Sequence, residues 1–451
     1  MLQEEMQSRH RAEIGYLFSA ILNLALAGCG NTKGEEKASN TEGNEKQEDT
    51  DKKEDIQKGS DAEKSVSGEV TMWTGTWNDG LMDTLLEGFY KEYPDVKVNF
   101  EYLPWDGMED KYLSALQAEA GPDVLDMAIA WTIPYASMGK LQKLDEYIEK
   151  NSIDVSDYYE GAVKTLYVDG SYYALPYRSE TMCLFYNKDL FETAGLDPES
   201  PPATWEELRD DAVKLTGGDV YGFGLCGSNA GNTTAQFYSM MFSKEVSLLN
   251  EDMTEAAFNT KDGLDAFSFW ADLYLKDAVV PKSVLENDNT TNRNLFAEGK
   301  LAMFVSGSYD IEPIMEANPD MNMGFALYPG FEGETSAAQL GGWNLGMSNT
   351  CKNPDAAFAL MSYLASPEVS VDFSSTFSSC KSAVSNEKYA DESLKVFIEA
   401  INYGVPLPGS PHMNQITDIL YNEAQAVLSG SKDAETALSD AEESVNKALD
   451  N

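Results

Sequence analysis

The sequence predicts an α/β protein with room for two separately cored domains, and three observations carry that prediction. Its 451 residues are enough for two domains of ordinary size. Hydrophobic residues at 42% and aromatic residues at 11% are normal for a globular chain and too rich for a wholly disordered one. Between residues 69 and 129 the patterns of strand and helix alternate, as they do where helices pack on a largely parallel sheet.

Taken in order, Val70–Met72 reads as a short strand, and Leu81, Met82, Leu85, Leu86 and Phe89 recur at helical spacing. Val96, Val98, Phe100 and Tyr102 alternate with Lys97, Asn99 and Glu101, the pattern of a half-buried strand. A helix over 108–119 and an apolar strand over 124–129 continue the alternation. After Pro201-Pro202, Thr204 and Glu207 form a capping box, which predicts a helix over 205–215. Strand and helix alternate again through NLFAEGKLAMFVSGSYD, QLGGWNLGMSN and a helix over 354–364. The chain closes on two helical runs separated by Gly430, one carrying Ile416, Leu420 and Val427, the other Ala437, Leu438 and Val445. No internal repeat is visible.

The N-terminus reads as an address. An apolar stretch from Ile14 to Ala27 is shorter than the roughly 20 residues a spanning helix needs, and it stops at Leu26-Ala27-Gly28-Cys29, which looks like a bacterial lipobox. Residues 1–28 are then a signal peptide and Cys29 the lipidated residue. Each buried methylene of the anchor contributes about 0.8 kcal/mol. Residues 29–67 are rich in Lys, Glu, Asp, Asn, Gly and Ser, the composition of a disordered acidic tether with a reach of roughly 35 Å.

Charge and composition exclude several functions. A net charge of −44 leaves no cationic surplus for phosphates, so nucleic acid is not expected as a partner. With only His10 and His412, a multi-histidine zinc site cannot be built. Cys183, Cys226, Cys351 and Cys380 show no CxxC spacing; a Cys351–Cys380 disulfide and free buried thiols both remain open.

Ligand sites in α/β sheets lie at the carboxyl ends of strands. Three such ends carry WTGTWND, LPWDGM and AWTIPY, each with a tryptophan. In order and spacing, PWDGMEDKYLSALQAEAGPDVLDM, YYALPY…LFYNKDLFETAGL, PPATWEEL, GKLAMFVSGSY and GGWNLGMSN resemble the extracellular solute-binding protein family 1, which includes maltose- and oligosaccharide-binding proteins. The likeness runs from about Gly68 to the end. It implies a two-lobed periplasmic-binding-protein-like (type II) fold with a hinge and an interlobe cleft. The first lobe takes 68–177 and 339–385, and the second takes 178–338 and 386–451, with Gly341-Gly342 near a hinge.

The same resemblance implies a sugar-binding lipoprotein of an ABC importer that delivers its ligand to permease subunits. It would be a monomer lacking any cofactor, metal or catalytic residue, held at the outer face of the cell membrane. Trp77, Trp131, Glu180 and Tyr309 match site positions of the family pattern, Tyr309 standing where a tryptophan is usual. Trp343, Arg178, Asn344, His412 and Trp105 are further candidates, for which core packing or a surface salt bridge is an equal alternative. Aromatic planes and fixed polar groups are what a sugar's flat C–H faces and ring of hydroxyls require. A surface glycoside hydrolase or lyase, a binder of another solute and a sensor are the competing readings.

Overall fold

The computed structural model describes residues 66–450 apart from 106; the leader, Cys29 and nearly all of the expected tether lie outside them. The first half begins β1 (Gly68–Gly75), α1 (Leu81–Glu92), β2 (Val96–Leu103), α2 (Met108–Gln117), β3 (Val124–Ala128) and α3 (Ile129–Ser137). Short helices α4 (Asp145–Lys150) and α5 (Glu160–Lys164) lead to a ribbon of β4 (Tyr167–Val168) and β5 (Ser171–Tyr172), then to β6 (Ala174–Glu180). On α1 the residues Met82, Leu85, Leu86 and Phe89 are all buried, as their spacing predicts. On β2, Val96 and Val98 are buried but Phe100 and Tyr102 only half so, because β2 is an edge strand with a neighbour on one side.

The second half contains β7 (Cys183–Asn187), α6 (Lys188–Ala194), α7 (Trp205–Leu215), β8 (Tyr221–Phe223), α8 (Ala230–Ser243), α9 (Lys261–Leu275) and α10 (Asn289–Ala297). It continues with β9 (Leu301–Ser306), α11 (Ile311–Ala317), β10 (Met323–Ala326) and β11 (Ala338–Gln339). The predicted capping box forms at α7: Glu207 N donates to Thr204 Oγ1 at 3.2 Å and Thr204 N donates to Glu207 Oε2 at 3.3 Å. The chain then returns to the first sheet through β12 (Gly341–Met347), α12 (Pro354–Leu364) and α13 (Pro367–Phe373). It ends with α14 (Glu392–Ile401), β13 (Gly404–Val405), α15 (Met413–Leu428) and α16 (Ala434–Leu449).

Two main sheets result. The first is ordered β2-β1-β3-β12-β6 and the second β10-β7-β9-β8. The first is largely parallel, as expected: β1, β2, β3 and β6 run one way, and β12 alone runs against them, antiparallel to both β3 and β6. The reason for that exception is the route of the chain, since β12 re-enters this sheet from the other half and not through a local crossover helix. Each sheet has its own hydrophobic core, one built around Met72, Phe89, Leu125 and Leu345, the other around Trp205, Phe237, Trp270 and Met303. A third cluster, with Tyr158, Phe185, Phe304, Phe377 and Phe397, joins elements of both halves.

Of the two alternatives for the cysteines, the structure has free thiols: all four cysteines within the described residues are free and no Cys351–Cys380 bridge forms. They sit in different surroundings: Cys351 packs against the first core, whereas Cys380 is buried in the third cluster with its thiol 3.6 Å from the Ala365 carbonyl. No helix among the described residues is long and apolar enough to cross a membrane.

Candidate functional site

Four tryptophans meet at the carboxyl edge of the first sheet. Trp77 lies in a 3-10 turn just after β1, Trp105 follows β2, Trp131 is in the first turns of α3 directly after β3, and Trp343 is the third residue of β12. The Trp343 ring is the hub, 5.0 Å from Trp77, 5.8 Å from Trp105 and 6.1 Å from Trp131, each in an edge-on arrangement. Trp105 stacks on Trp131 at 5.7 Å and 10°. Exposure divides the four: Trp77 and Trp105 are 39% and 57% exposed, whereas Trp131 and Trp343 are 5% and 7%. The segment around Trp131, read from sequence as a strand-end loop, is helical and apolar, which draws this ring inward. Trp73 stays behind the group, against Tyr112 and Lys111.

A buried carboxylate ties this edge together. Asp126 of β3 accepts hydrogen bonds from Thr74 Oγ1 of β1 at 2.6 Å and from Tyr177 Oη of β6 at 2.9 Å. Asn78, the neighbour of Trp77, donates to Thr74 Oγ1 at 2.8 Å. Burial raises the pKa of Asp126 to about 6, opposed by the Thr74 and Tyr177 hydrogen bonds and the charge of Arg178. The turn carrying Trp77 is thereby fixed relative to β6.

Arg178 and Glu180, two residues apart on β6, lie on one face of the strand. One guanidinium nitrogen, Nη2, donates to both Glu180 oxygens, at 2.9 and 2.8 Å. Both side chains are largely buried, at 11% and 14% exposure. Burial pulls the Arg178 pKa down, but the charge and hydrogen bond of Glu180 outweigh it and the net shift is upward. Tyr309, in the 3-10 turn after β9, folds its ring back over Gly307, where an added Cβ would lie 2.3 Å from the ring. Much of the residue is open, but its hydroxyl is crowded by protein, and burial followed by the charges of Glu180 and Asp310 pushes its pKa upward.

Between the halves lies a cavity of about 310 Å³. Trp105, Trp131, Trp343, Glu180 and Gly342 form its first wall, and Thr234, Leu407, Pro408, Met413, Asn414 and Thr417 the facing one. Among the described residues lining it, Glu180 is the one carboxylate. Gly342 has φ +140°, and a Cβ there would fall 2.1 Å from the Arg178 carbonyl, so only glycine admits β12 this close to β6.

Trp105, Trp131, Glu180 and Trp343 are thus brought together on the cavity, with Trp77 and Arg178 touching that group and Tyr309 near Glu180. Asn344 is not on the cavity. Successive strand residues face opposite ways, and with Trp343 turned to the cavity Asn344 points inward, fully buried, donating to Thr132 Oγ1 at 2.9 Å and Thr165 Oγ1 at 3.1 Å. His412 is the residue before α15 and does not line the cavity either; Met413, Asn414 and Thr417 of that helix do. Sequence reading missed this wall because Leu407 to Thr417 carries no aromatic or charged signal apart from that histidine.

The chain matches the family model for the bacterial extracellular solute-binding protein over residues 74–371. An ABC transporter solute-binding protein from Thermotoga lettingae, solved with α-D-tagatose, is 30% identical with a TM-score of 0.76, covering 85% of this chain and 100% of that one. The GacH receptor of Streptomyces glaucescens, solved without ligand and with acarbose, is 27% identical with a TM-score of 0.74, covering 85% of this chain and 99% of that one. The galactooligosaccharide-binding protein of Bacillus subtilis is 25% identical over 441 residues, 95% of each chain. On its two sheets, the cleft between them and this match, the chain belongs to the bacterial extracellular solute-binding protein family.

Proposed function

We propose that the protein captures a sugar in the interlobe cavity and delivers it to the permease of an ABC importer. The observation that carries the reading is the convergence of three tryptophans and one arginine-held carboxylate on a single cavity between two sheets, with Trp77 packed against Trp343 behind them. Indole planes cover the C–H faces of a pyranose, and a carboxylate held in place by its partner accepts hydroxyl hydrogen bonds without first being ordered. The sugars named for the Thermotoga and Streptomyces structures and the Bacillus protein support the ligand class.

Ligand held by one lobe recruits the other, because contacts to both walls exist together only when the cleft is closed. The lobes are assigned as 68–177 with 339–385 and 178–338 with 386–451, a division supported by the two separate cores, with the first boundary moved to Glu180 because β6 pairs with β12 up to that residue. The protein acts as a monomer, tethered through a lipid on Cys29 to the outer face of the cell membrane. It binds without turnover: hydrolysis of a glycoside ordinarily uses a pair of carboxylates, and among the described residues lining the cavity Glu180 is the one carboxylate.

Thermal unfolding of the domain from residue 66 onward, against a panel of monosaccharides and oligosaccharides, tests the reading. A bound sugar at 100 times its Kd should stabilise the protein by about 2.7 kcal/mol and raise Tm by a few degrees, with no product formed. A panel-wide absence of shift, or the appearance of cleaved sugar, would refute it.

A further inference from the structure

The cavity is crossed at two of its borders by contacts between its own walls. On one side it adjoins a second cavity of about 300 Å³, which shares Trp105 and Trp131 with it and is also lined by Glu109. At that border Glu109 of α2 accepts a hydrogen bond from Asn414 of α15, spanning the cleft. On the other side it adjoins a third cavity of about 480 Å³, which shares Ile133, Leu407, Pro408 and Gly409. There the backbone at Gly409 presses on Ile133 of α3, so closely that an added Cβ would fall 2.5 Å from Ile133 Cδ1. Both closures therefore come from one stretch of the second half, residues 407–414, meeting α2 and α3 of the first.

We propose that these two contacts are specificity-determining stops that limit the ligand to one or two sugar rings and turn an otherwise continuous groove into a central chamber. The inference rests on the reading of the cleft as a sugar site. A chamber of about 310 Å³ stands at the small end of the roughly 300–1,000 Å³ usual for ligand clefts. The spaces beyond the stops are large enough to take further rings once a stop is removed. Ile133 acts as an apolar bar, since a saccharide chain passing it would have to part it from the Gly409 backbone. The Glu109–Asn414 bond acts as a polar bar, since a chain passing there would have to replace that hydrogen bond and part the lobes.

Calorimetric titration of the wild-type protein, Ile133→Ala and Glu109→Ala with two homologous series tests this: galactose to galactotetraose, and glucose to maltotetraose. In whichever series binds, the wild type should hold the tetrasaccharide at least tenfold more weakly than its best mono- or disaccharide. That ratio should shrink severalfold in one or both variants, with circular dichroism and Tm showing each variant folded. Equal wild-type affinity for tetrasaccharide and disaccharide would overturn the proposal, as would an unchanged ratio in both folded variants. Binding of no sugar, in either series or in the wider thermal panel, would sink the carbohydrate reading itself and the proposal with it.

Discussion

Trp105 and Trp131 stack face to face yet have different duties. Trp105 is more than half exposed and holds little of the core together, whereas Trp131 is almost wholly buried against Tyr112, Tyr135 and Trp343. Trp105→Ala should therefore change folding stability by less than about 0.5 kcal/mol while weakening sugar binding, and Trp131→Ala should lower stability by roughly 3–5 kcal/mol. Denaturant melts beside calorimetric titrations separate the two outcomes. Glu180→Ala should weaken sugar binding by roughly 1.5–3 kcal/mol, the value of a charge-assisted hydrogen bond. Because it also strands a buried Arg178, Glu180→Gln is the cleaner variant, and unchanged affinity in both would remove Glu180 from the site.

Strands β1, β3 and β6 are locked at their carboxyl ends through one side chain, Asp126. Its folded pKa of about 6 stands above its ordinary 3.8, because burial disfavours the charge more than Thr74, Tyr177 and Arg178 restore it. Between these values the folded protein keeps a proton that the unfolded chain has released. Stability from this group accordingly declines as pH rises through about 4 to 6, by roughly 2–3 kcal/mol across the window, and is level above it. Asp126→Asn should remove that slope, seen as the difference between wild-type and variant urea midpoints measured from pH 4 to 7. Parallel slopes for the two proteins would show that the carboxyl does not titrate in this range.

The whole molecule is two sheets joined by a cluster that draws on both, so opening of the cleft must bend the chain near that junction and leave each core intact. The crossings run from β6 to β7, from β11 to β12 and from α13 to α14, and at the second Gly341-Gly342 stands against Glu180 and Arg178. A sugar that touches both walls favours the closed arrangement by its differential affinity for the two states. Saturating ligand should thus reduce the radius of gyration measured by small-angle X-ray scattering on the domain from residue 66. A bound sugar that leaves the radius unchanged would mean that capture requires no closure.

Local pattern was enough for the elements whose signals are local. The helices over 205–215 and 354–364 appear where capping and periodicity placed them, and the alternation over 69–129 gave the strand-helix order of the first sheet. The tryptophans after β1, β2 and β3 were legible as candidates because strand ends in an α/β sheet are where ligands sit. Only the tertiary structure decided that β12 enters antiparallel, that Asn344 turns away while Trp343 turns in, and that residues 407–417 form the opposite wall. Propensity and periodicity act over a few residues, whereas the cavity is assembled from segments more than 200 positions apart, whose meeting is set by how two cores pack and not by any signal along the chain.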